Sequence, residues 1–167
     1  MHQGTQWMTA SITGARVYAR AQAIVWRVDI LDVMIEYRDA IEGVSETDLE
    51  GFFEGWPSPP PPATHLRILR GSSHVELAID TDTSEVVGFA NAVSDGVLAA
   101  YIPLLEVRPE YRGHGIGSEL VRRLLGRLDL YMVDLVCDPA LQPFCERLGM
   151  KPMSVMARRN YDLQSGS

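Results

Sequence analysis

Cysteine is scarce in this chain: Cys137 and Cys145 are the two in 167 residues, and they are not spaced as Cys-x-x-Cys. A disulfide framework and a zinc site are therefore not expected, and a reducing cytoplasm is the expected compartment. Long apolar runs are also missing. None approaches the ~18 residues that a membrane-spanning helix needs, so no membrane partner is expected. Residues 1–33 carry Arg16, Arg20 and Arg27 among scattered apolar groups but no continuous apolar stretch after a basic start, which argues against a secretory signal. Positive charge is in deficit, 15 Lys+Arg against 22 Asp+Glu for a net charge of −7. Such a field repels a polyanionic backbone, and nucleic acid is not expected as a partner. It would favour a cationic amine, although an acidic surface also serves solubility alone. With Lys151 as its single lysine, the chain has no Gly-Lys-Ser/Thr ending and hence no Walker loop.

Glycine is present where it matters. Residues 98–107 form an apolar run, residues 116–125 carry apolar groups at helical spacing, and between them Gly113, Gly115 and Gly117 fall within five positions. The pattern predicts strand, tight turn and helix. Removing Cβ atoms at the turn lets backbone N–H groups converge on a ligand at the helix N-terminus, which suits a phosphate. A dinucleotide fingerprint is not met, since the glycines come in alternate positions and about two thirds of the way along the chain.

What is met in full is Arg/Gln-x-x-Gly-x-Gly/Ala preceded by Val-x-Pro, through Val107, Pro109, Arg112, Gly115 and Gly117. The stretch resembles the acyl-CoA loop of the GNAT superfamily of N-acetyltransferases. A second signature of that family, a strand followed by an aromatic-bearing helix ending in glycine, is matched by residues 134–138 and 143–150, with Phe144 and Gly149. The resemblance implies an α/β (α+β) fold, with a central mixed, mostly antiparallel sheet and helices on both faces. It further implies a strand splayed from its neighbour before the glycine loop, where the pantetheine arm of acetyl-CoA, the expected co-substrate, would insert. Its implied contacts are Leu105, Glu106, Val107, Arg112, Gly113, His114, Gly115, Ile116, Gly117 and Ser118, and no metal is implied. The acceptor would be an amine on a small molecule, a protein N-terminus or a lysine, with a homodimer left open.

Taken in order, residues 1–33 show no clean periodicity and are expected to be an extension, disordered or dispensable, ahead of a domain over 34–167. Met34–Arg38 alternates like a first strand. Ser45 with Asp48 three residues on, then Leu49, Phe52 and Phe53, predicts a short amphipathic helix. Five prolines within residues 57–62 end it and read as a stiff connector, or else as a docking ligand for an aromatic groove. Residues 64–69 predict a second helix closed by Gly71. Residues 75–80 and 86–93 predict an antiparallel hairpin. Pro103 lacks an N–H, so the strand over 98–107 should bulge or splay there. In the helix over 115–128, Ile116, Leu120, Leu124 and Leu128 share a core face, while Arg122, Arg123 and Arg127 read as a solvated face, with contact to a CoA phosphate as the alternative. Residues 131–136 predict a buried strand, 141–148 a helix capped by Gly149, and 153–161 a closing strand.

Acyl transfer to an amine needs the amine deprotonated, the carbonyl polarised, and the leaving thiolate protonated. The resemblance assigns the polarising N–H to the backbone near Leu105. It leaves the acid and base open, because Tyr101 stands where many relatives have Glu or His, and Cys145 where many have Tyr. Cys145 could donate a proton or be an inert buried hydrophobe. A tyrosine is a poor base at neutral pH, so Tyr101 could instead order a water or contact substrate. Glu106 is a carboxylate on the same strand, but strict alternation points it away from Tyr101 unless a bulge at Pro103 shifts the register. Trp56 and the acids Glu46, Asp48, Glu50 and Glu54 lie on the segment that would border the acceptor cleft. A CoA-binding module without turnover is the rival reading, and an interaction protein acting through the proline run a third.

Overall fold

A computed structural model describes residues 34–166 and the backbone of three segments before them, 11–12, 15–20 and 23–27. Eight strands lie in one sheet in chain order: β1 (Ser11–Ile12), β2 (Ala15–Arg20), β3 (Ala23–Arg27), β4 (Met34–Arg38), β5 (His74–Asp80), β6 (Val86–Ser94), β7 (Ala99–Val107) and β8 (Met132–Leu135). All neighbours are antiparallel except β7 and β8, which run parallel. The helices are α1 (Pro62–Arg70), α2 (Ile116–Arg127) and α3 (Gln142–Arg147). The expected mixed, mostly antiparallel sheet with helices on both faces is what forms. Among the described residues, no helix is long and apolar enough to cross a membrane. Strand β3 meets β4 only through Trp26↔Ile35 and Arg27↔Met34. That the extension is dispensable stays a proposal, tested by the melting temperature of a chain beginning at Met34.

Each face of the sheet has its own core. On one, Ile116, Leu120, Leu124 and Leu128 are buried as their spacing predicts, against Ala78, Val87, Ala90, Ala100 and Ile102. Small sheet residues let α2 come close: a Cβ at Gly88 would stand 3.2 Å from Leu120 and 3.4 Å from Ile116. On the other face Leu66 and Leu69 of α1, with Leu49 and Phe53, cover Leu77, Ile79, Val86 and Phe89. Burying each such side chain stabilises the fold by about 1.5–3 kcal/mol. The second face is covered only in part. Beyond β6 it leaves Val93, Tyr101, Met132 and Val136 exposed.

Three expectations fail. The helix after Ser45 is only a 3₁₀ turn, Thr47–Leu49. Asp48 does accept from the Ser45 N–H (2.8 Å) and hydroxyl (2.7 Å), but Gly51, Phe53 and Gly55 then take positive φ, which no right-handed helix accommodates. The strand over 131–136 is not buried. It reduces to β8, which has one neighbour and leaves Tyr131 84% exposed. The closing strand over 153–161 does not form: residues 151–160 have no regular secondary structure and are exposed, and Tyr161–Leu163 is a 3₁₀ turn. A strand needs a partner, and this one is drawn off by its end, where Gln164 accepts from the Ser58 N–H (3.1 Å) and the Gly166 carbonyl from Arg67 (3.0 Å).

Candidate functional site

Strand β7 carries the site, and Pro103 shapes it. Between the pairs Val93↔Tyr101 and Asn91↔Leu104, β6 contributes one residue and β7 two, Ile102 and Pro103. This bulge inverts the alternation. Ala100 and Ile102 lie in the core under α2, Leu105 and Val107 pack on that same core, and Leu104 packs on the opposite one. Tyr101 and Glu106 therefore share a face despite their odd spacing. They do not meet, since about 3.3 Å of rise per residue puts them roughly 15 Å apart. Strand β8 follows β7 only as far as Ile102↔Leu135, while β7 continues with β6 to Val107. Past Ile102 the β8-facing edge of β7 has no partner strand among the described residues. The splay expected from the proline is thus present beside Leu105, Glu106 and Val107.

The loop after β7 is braced from three sides. Tyr111 donates to the buried Asp80 at 2.8 Å, and Arg112 Nε donates to the Val107 carbonyl at 2.8 Å. The Arg112 guanidinium also meets Glu54 at 3.1 Å. His114 is half-buried, its Nδ1 3.3 Å from the Tyr111 carbonyl. Gly115, at φ +82°, directs the chain into α2. A Cβ there would touch nothing within 4 Å, so the glycine answers to the backbone angle and not to space. Gly117 differs: its φ is ordinary, and a Cβ would sit 3.6 Å from Val107, toward the sheet. No side chain caps α2, and its first backbone bond runs from the Glu119 N–H to the Gly115 carbonyl at 3.0 Å. The N–H groups of Ile116, Gly117 and Ser118 are left for an anion.

On the other side of β7 the turn over residues 47–56 crosses Glu106. Burial raises the pKa of this carboxyl, Arg112 and the Phe53 N–H hold it down in part, and Glu54 raises it further. Phe53 itself has φ +62°, a strained angle for a bulky side chain, and is buried. Beside it, a cleft of about 490 Å³ is lined by Thr47, Glu50, Glu54, Glu85, Arg108 and Glu110. Arg108 clamps the turn, with its guanidinium 5.5 Å over the Phe52 ring and 3.1 Å from Glu85. The carboxylates that line this cleft suit it to attract a cation; Glu106 is not among the lining residues, and of those that are, Glu54 lies close enough to act on its charge.

Cys145 stands apart. It is buried in α3 with its sulfur 3.6 Å from that of Cys137. Burial, then the neighbouring thiol, pushes its pKa up to about 11. Passing a proton from such a group to a departing thiolate of ordinary pKa, ~8.5, is uphill. The arginines of α2 are mostly engaged. Arg127 reaches the buried Glu76 at 2.9 Å, a correction to its expected solvated role. Arg123 binds Glu119 at 2.9 Å and lies 4.7 Å over the Tyr37 ring, and Arg122 pairs with Glu119 on the surface. Sequence reading missed the Arg108 clamp and the strained Phe53. The alternation of Gly51 and Gly55 about Phe53 was the available signal for a turn. Among the described residues no group of His, Cys, Asp or Glu is placed to hold a metal ion.

Residues 41–150 match the model of the Acetyltransferase (GNAT) family. A candidate acetyltransferase from Deinococcus radiodurans R1 is 53% identical and superposes with a TM-score of 0.76, over 78% of this chain and 92% of that one. A GNAT family acetyltransferase from Streptococcus pneumoniae TIGR4 is 27% identical, TM-score 0.63, over 76% and 98%. The uncharacterized N-acetyltransferase ycf52 of Pyropia yezoensis is 27% identical over 99 residues, 57% of either chain, so the match spans little more than half of that relative.

Proposed function

Because the chain belongs to the Acetyltransferase (GNAT) family, we propose that it is an N-acyltransferase that moves an acetyl group from acetyl-CoA to an amine. The observation that carries this reading is the parting of β7 from β8 after Ile102, directly before an uncapped helix start. The free edge of Leu105–Val107 offers backbone partners to the pantetheine arm, and the N–H groups of Ile116, Gly117 and Ser118 face the pyrophosphate. Loop residues Arg112 to Gly115 shape that cradle. An aminoglycoside N-acetyltransferase of the same fold, 16% identical, has been solved in complex with CoA.

Glu106 is the base. Its raised pKa suits it to take a proton from an alkylammonium near neutral pH, and Glu50, Glu54, Glu85 and Glu110 draw that cation to the cleft. The freed amine nitrogen forms a bond to the acetyl carbon, the carbon–sulfur bond breaks, and the thiolate takes its proton from solvent. A β7 backbone N–H beside Leu105 polarises the carbonyl. Tyr101, too far off to share the base's task, contacts the acceptor. The thiol product and the two free cysteines suit a reducing cytoplasm. A panel of amines, read as release of CoA thiol from acetyl-CoA, tests the proposal. Turnover with one amine class supports it. CoA binding without thiol release from any amine would establish a sensor instead.

A further inference from the structure

The two cysteines are brought into contact at the mouth of the gap between β7 and β8. Cys137 lies just past Leu135, the last residue of β8 to pair with β7, and Cys145 is carried by α3. Their sulfurs stand 3.6 Å apart, with the Cys145 thiol donating to the Cys137 sulfur. Both are free thiols. Cys145 is the buried residue of α3, yet it belongs to neither of the two cores of the sheet. What it meets is the other thiol, and the pair joins α3 to the chain leaving β8.

Packing alone does not call for two thiols here, since two small apolar side chains would fill the same space. Among the described residues no third His, Cys, Asp or Glu joins them as a metal site would require. What a thiol pair in contact adds is redox chemistry. The two also differ in access. Cys137 is half-buried, whereas Cys145 is 8% exposed. With its pKa pushed up to about 11 by burial and then by its neighbour, Cys145 is a poor first nucleophile toward an oxidant. It is well placed to react second, with whatever forms on Cys137.

We propose that Cys137 and Cys145 are an oxidation site, a thiol pair that a peroxide converts reversibly into a disulfide tying α3 to the end of β8. With hydrogen peroxide, the Cys137 sulfur attacks an oxygen: a sulfur–oxygen bond forms, the oxygen–oxygen bond breaks, and Cys137 becomes a sulfenic acid as one water leaves. Cys145 then attacks the Cys137 sulfur. The sulfur–sulfur bond forms, the sulfur–oxygen bond breaks, and the departing hydroxide takes the Cys145 proton as a second water. Two thiols are oxidised, one peroxide is reduced, and exchange with a dithiol reverses the step. The new bond asks the sulfurs to close by about 1.5 Å. That movement falls beside Ile102↔Leu135, where the gap between β7 and β8 opens. If this gap takes the pantetheine arm, as the acetyltransferase reading on which this consequence rests requires, oxidation displaces one wall of it and weakens CoA binding.

Hydrogen peroxide followed by catalase should remove both free thiols of the full chain, and dithiothreitol should return both. Tryptic peptide 128–147, which holds the two cysteines, should become two hydrogens lighter. Calorimetric titration should show the oxidised protein binding CoA about threefold or more weakly than the reduced one, the effect of a displaced binding wall. Cys137→Ser should keep the reduced parent's CoA affinity and lose the response to peroxide. Thiols that survive the treatment, a cysteine sulfinic acid in that peptide, or a link between two copies would each overturn the proposal. Equal CoA affinity in the oxidised and reduced parent would overturn the hold of the pair on the gap. A reduced protein that binds no CoA would strike the acetyltransferase reading instead, and the thiol count would still decide the pair.

Discussion

Two turns flank Glu106 and Val107, and both use alternate residues in left-handed backbone. Gly113 and Gly115, at φ +81° and +82°, lie after β7, whereas Gly51, Phe53 and Gly55, at +82°, +62° and +82°, lie before α1. The first turn leaves the N–H groups of the following helix start exposed and suits a phosphate. The second turns the Phe53 N–H inward, toward a half-buried carboxyl. Similar backbone geometry thus serves ligand binding in one place and proton chemistry in the other. What separates them is burial, since a phenylalanine at the centre of the second turn anchors it in the core.

If the second turn serves the base, Glu106→Gln should lower kcat by about 10²-fold or more while CoA affinity changes little. Because the folded pKa of Glu106 is raised, the acid limb of kcat/KM should lie above the ordinary carboxylate value of ~4.3. The stability this group contributes is full below its unfolded pKa and lost as pH rises through its folded one. The Gln variant should therefore be at least as stable as the parent at pH 7 by urea unfolding. Equal loss of stability and activity would reduce Glu106 to a packing residue.

Beneath Phe53 lies His65, fully buried with neither ring nitrogen hydrogen-bonded. Burial lowers its pKa to about 4, against a smaller opposing pull from the Leu49 backbone. The neutral ring is favoured by the fold, so its stability is present above pH 6.5 and lost as pH falls toward 4. Between pH 7 and pH 5 the protein should lose about 2 kcal/mol through this residue. His65→Leu should flatten that slope in urea titrations, with no matching change when the phosphate turn is altered.

The phosphate turn divides by variant. Gly115→Ala should cost the unliganded fold about 1–2 kcal/mol, because an L-residue must adopt its left-handed angle. His114→Glu should leave the unliganded melting temperature nearly unchanged yet weaken CoA roughly tenfold, by setting a negative charge at the helix start. Calorimetric titration distinguishes them; equal CoA affinity in His114→Glu and the parent would remove phosphate from that turn. The smallest effect belongs to Cys145→Ala. With its thiol pushed up to about 11, its loss should change kcat by less than about threefold, and a drop of 10²-fold would restore it as the proton donor.

The sequence by itself determined the loop from Val107 to Gly117, the core stripe of α2, the hairpin β5–β6 and the break at Pro103. Each of these is written in local chemistry: missing Cβ atoms, a missing N–H, or apolar residues at one period. Only the tertiary structure decided which way the break at Pro103 turned. Whether a bulge takes its extra residue from β6 or β7 depends on pairing across strands, and on that choice rests the placing of Glu106 on Tyr101's face. Tertiary structure also raised the Glu106 pKa, chiefly through burial, and set Arg127 against Glu76. It left 151–160 outside the sheet as well. That segment has the residues of a strand, but a strand exists only where another backbone is free to receive it.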